Sequence, residues 1–199
     1  MNTAYIKGAF IMNTKSKIQN MTLAALLCAV GILIPIISPV KIPIGPFGSF
    51  TLASHVAIFI AMFLSPVTAV LVALGTTVGF FFNFPLPVVM RALSHVIFAF
   101  LGATYLKKYP LTLLSFKKAT VFSIVIAVIH ALCEVLVIMP LFIGGNFAAG
   151  KGFLYGVLIP VGLITIIHSL VDFTLATAVW KGLEKARLVS RPTAAQAIQ

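Results

Sequence analysis

The sequence predicts an all-α integral membrane protein of six transmembrane helices, and three observations predict it. Of the 199 residues, 61% are hydrophobic and only 9% charged. The mean hydropathy of +1.16 is more apolar than a water-soluble globule of this size can accommodate. The apolar stretches are continuous rather than alternating, and each approaches the roughly 20 residues that a helix needs to cross a bilayer. Lipid offers backbone N–H and C=O groups no partner, so each span must close its hydrogen bonds internally, as a helix does.

In chain order, residues 1–19 are polar and basic with a brief apolar patch and no small-residue cleavage site. They read as a cytoplasmic tail rather than a secretory signal, with Met12 as an alternative start. Six spans follow, over 20–38, 50–64, 67–83, 87–106, 119–142 and 153–180, in one membrane domain of residues 20–182. A second cytoplasmic tail covers 183–199. The breaks between spans are chemical: a Pro/Gly-rich loop at 39–48, a tight turn at Ser65-Pro66, another over 83–87, and a glycine-rich connection at 144–152. The second span is short for a crossing.

Orientation follows from the basic residues. Lys7, Lys15 and Lys17 precede the first span, Lys107, Lys108, Lys117 and Lys118 follow the fourth, and Lys181, Lys185, Arg187 and Arg191 follow the sixth. With six spans these clusters share one side, and only Lys41 and Lys151 fall on the other. The positive-inside rule then places both termini in the cytoplasm of a prokaryotic plasma membrane. The net charge of +11 has its explanation there, and no nucleic-acid partner is expected.

Catalytic and nucleotide-binding signatures are missing. The stretch from Gly145 to Gly152 has the spacing of a phosphate loop, but Gly152 stands where Ser or Thr must hold magnesium, and no strand precedes it. The chain has three acidic residues, Glu134, Asp172 and Glu184, which leaves little for paired-carboxylate catalysis. Cys28 and Cys133 lie inside apolar segments and behave as small hydrophobes, so neither a disulfide nor a metal site is expected, and no cofactor.

Ionisable residues inside spans are expensive, and each is therefore a site hypothesis. They form three pairs at i, i+4: Arg91 with His95, His130 with Glu134, and His168 with Asp172, with His55 alone on span two. Counting depth at about 1.5 Å per residue brings His55, Arg91, His95, His130 and Glu134 to one level in the outer half of the membrane. His168 and Asp172 fall deeper, with Trp180 and Lys181 marking the cytoplasmic interface. Five polar groups from three helices opening outward suit a small polar solute. The Arg91 guanidinium favours a carboxylate, with Tyr155 and Asn146 adding contacts from span six. Structural roles compete with this reading: Arg91 snorkelling to headgroups, and either histidine–carboxylate pair locking helices together.

Small residues recur at helical spacing in Ala25-x-x-x-Ala29, Gly75-x-x-x-Gly79 and Gly152-x-x-x-Gly156, faces that let helices approach closely.

Together, MTLAALLCAVGIL, the Pro/Gly loop, SFTLASHVAIFIAMFLSP, LVALGTTVGFFF and LPVVMRALSHVIFAFLGA resemble the substrate-binding S components of energy-coupling factor (ECF) vitamin transporters, over about residues 15–182. The resemblance implies a six-helix fold and a site for a small water-soluble vitamin near the outer face, capped by the first loop. It also implies a docking face at Ala25 and Ala29 for a transmembrane coupling subunit, with two cytoplasmic ATPase subunits supplying the energy. The segments are most similar to the pantothenate and niacin S components, with pantothenate ranked first and niacin close behind. A small intramembrane enzyme and a proton-coupled carrier using His168 and Asp172 are the alternatives from other classes.

Overall fold

The computed structural model describes residues 14–44, 47–145 and 152–189. These form α1 (Thr14–Ile37), a hairpin of β1 (Lys41–Ile44) and β2 (Gly48–Thr51), then α2 (Val56–Leu64), α3 (Pro66–Asn83), α4 (Leu86–Lys108), α5 (Phe116–Ile143) and α6 (Ile164–Lys185). A short 3₁₀ turn, Pro110–Leu114, links α4 to α5, and a π-helical stretch, Leu154–Leu163, leads into α6. The tails before residue 14 and after 189, and Asn146 with Lys151, lie outside the described residues.

Four of these helical segments are long and apolar enough to cross a membrane: Pro66–Asn83, Leu86–Lys108, Phe116–Ile143 and the continuous Leu154–Lys185. In α1 the apolar part is the shorter Met21–Ile37. Large apolar side chains such as Leu71, Phe81, Phe82, Leu132 and Leu136 are exposed on the outside of the bundle, the reverse of a soluble fold and the surface a bilayer would cover.

Two expectations are corrected. The loop at 39–48 is largely an antiparallel hairpin, paired from Lys41 with Thr51 to Ile44 with Gly48. Residues 50 and 51 belong to its second strand, so the second span shrinks to the nine-residue α2, too short to cross alone at about 1.5 Å per residue. The helix starts late because Ala53 takes a left-handed turn (φ 68°) just before it. Its sequence, VAIFIAMFL, is apolar all round, and the helix is buried accordingly: Ala57, Ile58, Phe59, Ala61 and Met62 are shielded on every side at the centre of the bundle.

The chain reverses at Ser65, whose hydroxyl accepts from Thr68 N at 3.1 Å and caps α3, with Pro66 in the first turn where its missing N–H is harmless. Along α3, Gly75 and Gly79 admit α1: a Cβ on Gly79 would stand 2.9 Å from the Ile32 side chain, and one on Gly75 2.9 Å from Cys28 Sγ. The glycine pair read from the sequence therefore packs the protein against itself. Trp180 packs inward, meeting Phe63 edge-on at 5.5 Å and donating to Glu184 Oε1.

Candidate functional site

Polar side chains in lipid must find partners inside the bundle, and here they find one another. Arg91 and His95 share a face of α4 and both reach across to Glu134 on α5. Arg91 Nη2 donates to Glu134 Oε2 at 2.9 Å, and His95 Nε2 pairs with Oε1 at 3.0 Å. Thr165 Oγ1, at the start of α6, donates to Oε2 at 2.5 Å. His130 lies one turn before Glu134 on α5, its Nε2 3.4 Å from Oε1 and its ring stacked on Phe98 at 4.2 Å. Arg91, His95, His130 and Glu134 are all buried.

A second carboxylate organises the other half. Asp172 on α6 accepts from the backbone N–H groups of Ala53 and His55, both at 2.9 Å, and pairs with His55 Nδ1 at 3.0 Å. It supplies an anionic cap for the N-terminus of α2, which is buried among the other helices. His168, one turn before it, stands with Nε2 3.1 Å from Asp172 Oδ2 and donates to the Thr51 carbonyl at 2.9 Å.

These two halves meet at His55, whose ring lies 4.7 Å from those of His95 and His130 and 4.6 Å from that of His168. The depth count separated His168 and Asp172 from the outer five groups, and the structure joins them. The reason is that His55 sits where α2 begins rather than inside a full-length span. All four histidines of the chain thus lie in one cluster.

The hairpin lies against this cluster. Arg91 Nη1 donates to the Phe47 carbonyl at 2.8 Å, and the Phe47 side chain is buried among Ile138 of α5 and Val157 and Val161 of the π-helical stretch. Phe50 tilts onto His168 at 4.4 Å. Between hairpin and helices remains a cavity of about 20 Å³, bounded by Thr51, Ser54, His55, Phe80, Arg91, His95, Glu134 and His168 among others. It has room for about one water.

Of the residues singled out from the sequence, His55, Arg91, His95, His130 and Glu134 are brought together. Tyr155 is not: its ring is 69% exposed on the outside of the bundle, because the π-helical winding that buries Gly156 and Val157 turns it outward. Asn146 lies outside the described residues. Sequence reasoning missed Thr165, Ser54 and the Phe47 carbonyl. Thr165 was findable, since Thr165, His168, Ser169 and Asp172 form a polar stripe at helical spacing. A backbone carbonyl carries no such signal.

Ala25 and Ala29 are exposed on α1. Near them, an apolar groove of about 1160 Å³ runs between the start of α1, the turn at Ser65 and the ends of α4 and α6, lined by Leu26, Met62, Val67, Leu106, Lys107 and Trp180 among others.

No family model matches the chain, and no solved structure matches it. Among curated proteins it is similar to the niacin transporter NiaX of Lactococcus lactis subsp. cremoris (strain MG1363), with 42% identity over 173 residues, 86% of this chain and 78% of that protein.

Proposed function

Because the chain belongs to the S components, the substrate-binding subunits of ECF vitamin transporters, we propose that it captures niacin, with the vitamin's carboxylate held by Arg91. The chain is a multi-pass membrane protein of vitamin uptake and a transporter subunit, not an enzyme. Its relative corrects the ranking made from the sequence, which put pantothenate ahead of niacin. The two vitamins share a carboxylate, and Arg91 alone gave no basis for choosing between them.

The observation that carries the reading is the Arg91 guanidinium on the cavity wall, bonded on one arm to the hairpin and on the other to Glu134. A carboxylate that takes the place of the Phe47 carbonyl on Nη1 forms an ion pair where the guanidinium met a neutral acceptor. The hairpin then lifts, Phe47 leaves its slot, and the cavity widens to admit the pyridine ring beside His55, His95 and Phe80. A cavity of about 20 Å³, with room for about one water, is too small for a pyridine ring, so binding needs that movement.

Energy comes from partners in this reading. The exposed Ala25 and Ala29 and the neighbouring apolar groove receive the transmembrane coupling subunit, and two ATPase subunits complete the importer. In this reading the six helices keep both termini in the cytoplasm, as the basic residues favour, and the hairpin then faces outward. Uptake of labelled nicotinic acid by cells producing this chain together with a coupling module tests the assignment. Uptake that depends on the chain is expected, and its absence with the complex assembled would overturn the reading.

A further inference from the structure

One part of the cluster is left unexplained by ion pairing with Arg91. His55, His95 and His130 come from three different helices, and their ring centroids form a triangle with every side 4.7 Å. Glu134 faces this triangle. Its Oε2 is occupied by Arg91 and Thr165, while Oε1 stands 3.0 Å from His95 Nε2 and 3.4 Å from His130 Nε2. One donor atom from each of the four residues lies within 4.8 Å of all the others.

Hydrogen bonding within the protein does not satisfy these rings. Nδ1 of His130 has no hydrogen-bond partner among the described residues and its Nε2 has only the long 3.4 Å approach to Glu134 Oε1, although the residue is 0% exposed, and Nδ1 of the buried His95 has no partner among them either. A neutral imidazole carries one N–H and one lone pair, and leaving either without a good partner in a low-dielectric interior is unfavourable. A cation bound among the rings would use those lone pairs.

Geometry and donor chemistry agree on which cation. Four ligands at bonds of 2.0–2.1 Å around a tetrahedral ion are separated by about 3.3 Å, which the two Oε1 distances already match. Three imidazoles and one carboxylate suit borderline divalent ions and disfavour magnesium or calcium. His55 also has the outer-shell support typical of a metal ligand. Its Nδ1 faces Asp172 Oδ2 at 3.0 Å, and Asp172 is itself fixed by the Ala53 and His55 backbone N–H groups. A donated Nδ1–H leaves Nε2 of His55 as a free lone pair for an ion.

We propose that His55, His95, His130 and Glu134 bind a divalent transition-metal ion of the zinc, cobalt or nickel type. The cysteines gave no hint of such a site, and its ligands are too far apart in sequence to form a spacing motif. The inference stands on the cluster alone and does not depend on which vitamin is carried.

The test is titration of the purified full-length chain, free of any polyhistidine tag and stripped with a chelator, with cobalt(II) in detergent and no vitamin present. One equivalent is expected to give the intense visible absorption of a low-symmetry site, and one equivalent of zinc to abolish it. Substituting His130→Asn or His95→Asn should weaken cobalt binding at least 100-fold, while the double variant Cys28→Ser with Cys133→Ser should leave it unchanged. Wild-type protein that retains its thermal unfolding transition yet shows neither cobalt absorption nor zinc binding overturns the proposal, whatever the variants do. So does a cobalt spectrum that persists in His130→Asn.

Discussion

The guanidinium of Arg91 and the carboxylate of Glu134 lie 2.9 Å apart across the α4–α5 interface, both buried, and the same guanidinium holds the Phe47 carbonyl. One side chain therefore ties the hairpin to the floor of the site. On the proposed reading, a ligand that competes for that guanidinium also competes with the hairpin's contact to it, which would link ligand capture to loop movement.

For Arg91 this yields a prediction that separates binding from folding. Arg91→Ala leaves Glu134 as a buried charge without its guanidinium, and should destabilise the protein by about 3 kcal/mol. Combining Arg91→Met with Glu134→Gln removes both charges and should recover most of that stability without recovering vitamin binding. Thermal unfolding in detergent, followed with and without niacin, distinguishes the two effects. A double variant that binds niacin normally would remove Arg91 from the site.

Asp172 carries a structural role that can be measured in the same way. Its carboxylate accepts two backbone N–H groups at the start of α2 and faces two histidines, and an amide cannot replace all of those charge-assisted contacts. Asp172→Asn is expected to lower stability by about 2 kcal/mol. An unfolding midpoint unchanged by the substitution would show that the α2 cap contributes nothing.

Much of this was legible in the sequence because lipid makes polar residues rare and their positions meaningful. The i, i+4 spacing put Arg91 with His95 and His130 with Glu134, and both pairs fall in the cluster. The sequence could not reveal that residues 50–55 would form strand and turn instead of helix, because Phe-Thr-Leu-Ala-Ser-His holds no Pro or Gly to stop a helix, and α2 starts where the turn at Ala53 and the long-range bonds to Asp172 set it. The depth of His168 was misjudged for the same reason, since its neighbour His55 does not sit on a full span. Tyr155 lies apart from the cluster because the winding of the 154–163 stretch, not its depth, decides which way the side chain points.

The exposed and packed sides of the helix interface between α1 and α3 should respond oppositely to added bulk. Gly79→Ile drives a side chain into Ile32 and is expected to destabilise the bundle by about 2 kcal/mol. Ala25→Trp and Ala29→Trp add bulk on exposed positions, and should leave niacin affinity within about twofold while abolishing uptake, because the coupling subunit cannot approach. Normal uptake by both tryptophan variants would place the docking face elsewhere.

The claim on which the account rests is that a vitamin carboxylate replaces the Phe47 carbonyl on Arg91, and calorimetric titration of the purified chain tests it most directly. Nicotinic acid should saturate one site, while nicotinamide, which keeps the ring but lacks the charge, should bind at least about 100-fold more weakly, as should Arg91→Lys with nicotinic acid. Equal affinity for acid and amide, or no binding of the acid to folded protein, would contradict it.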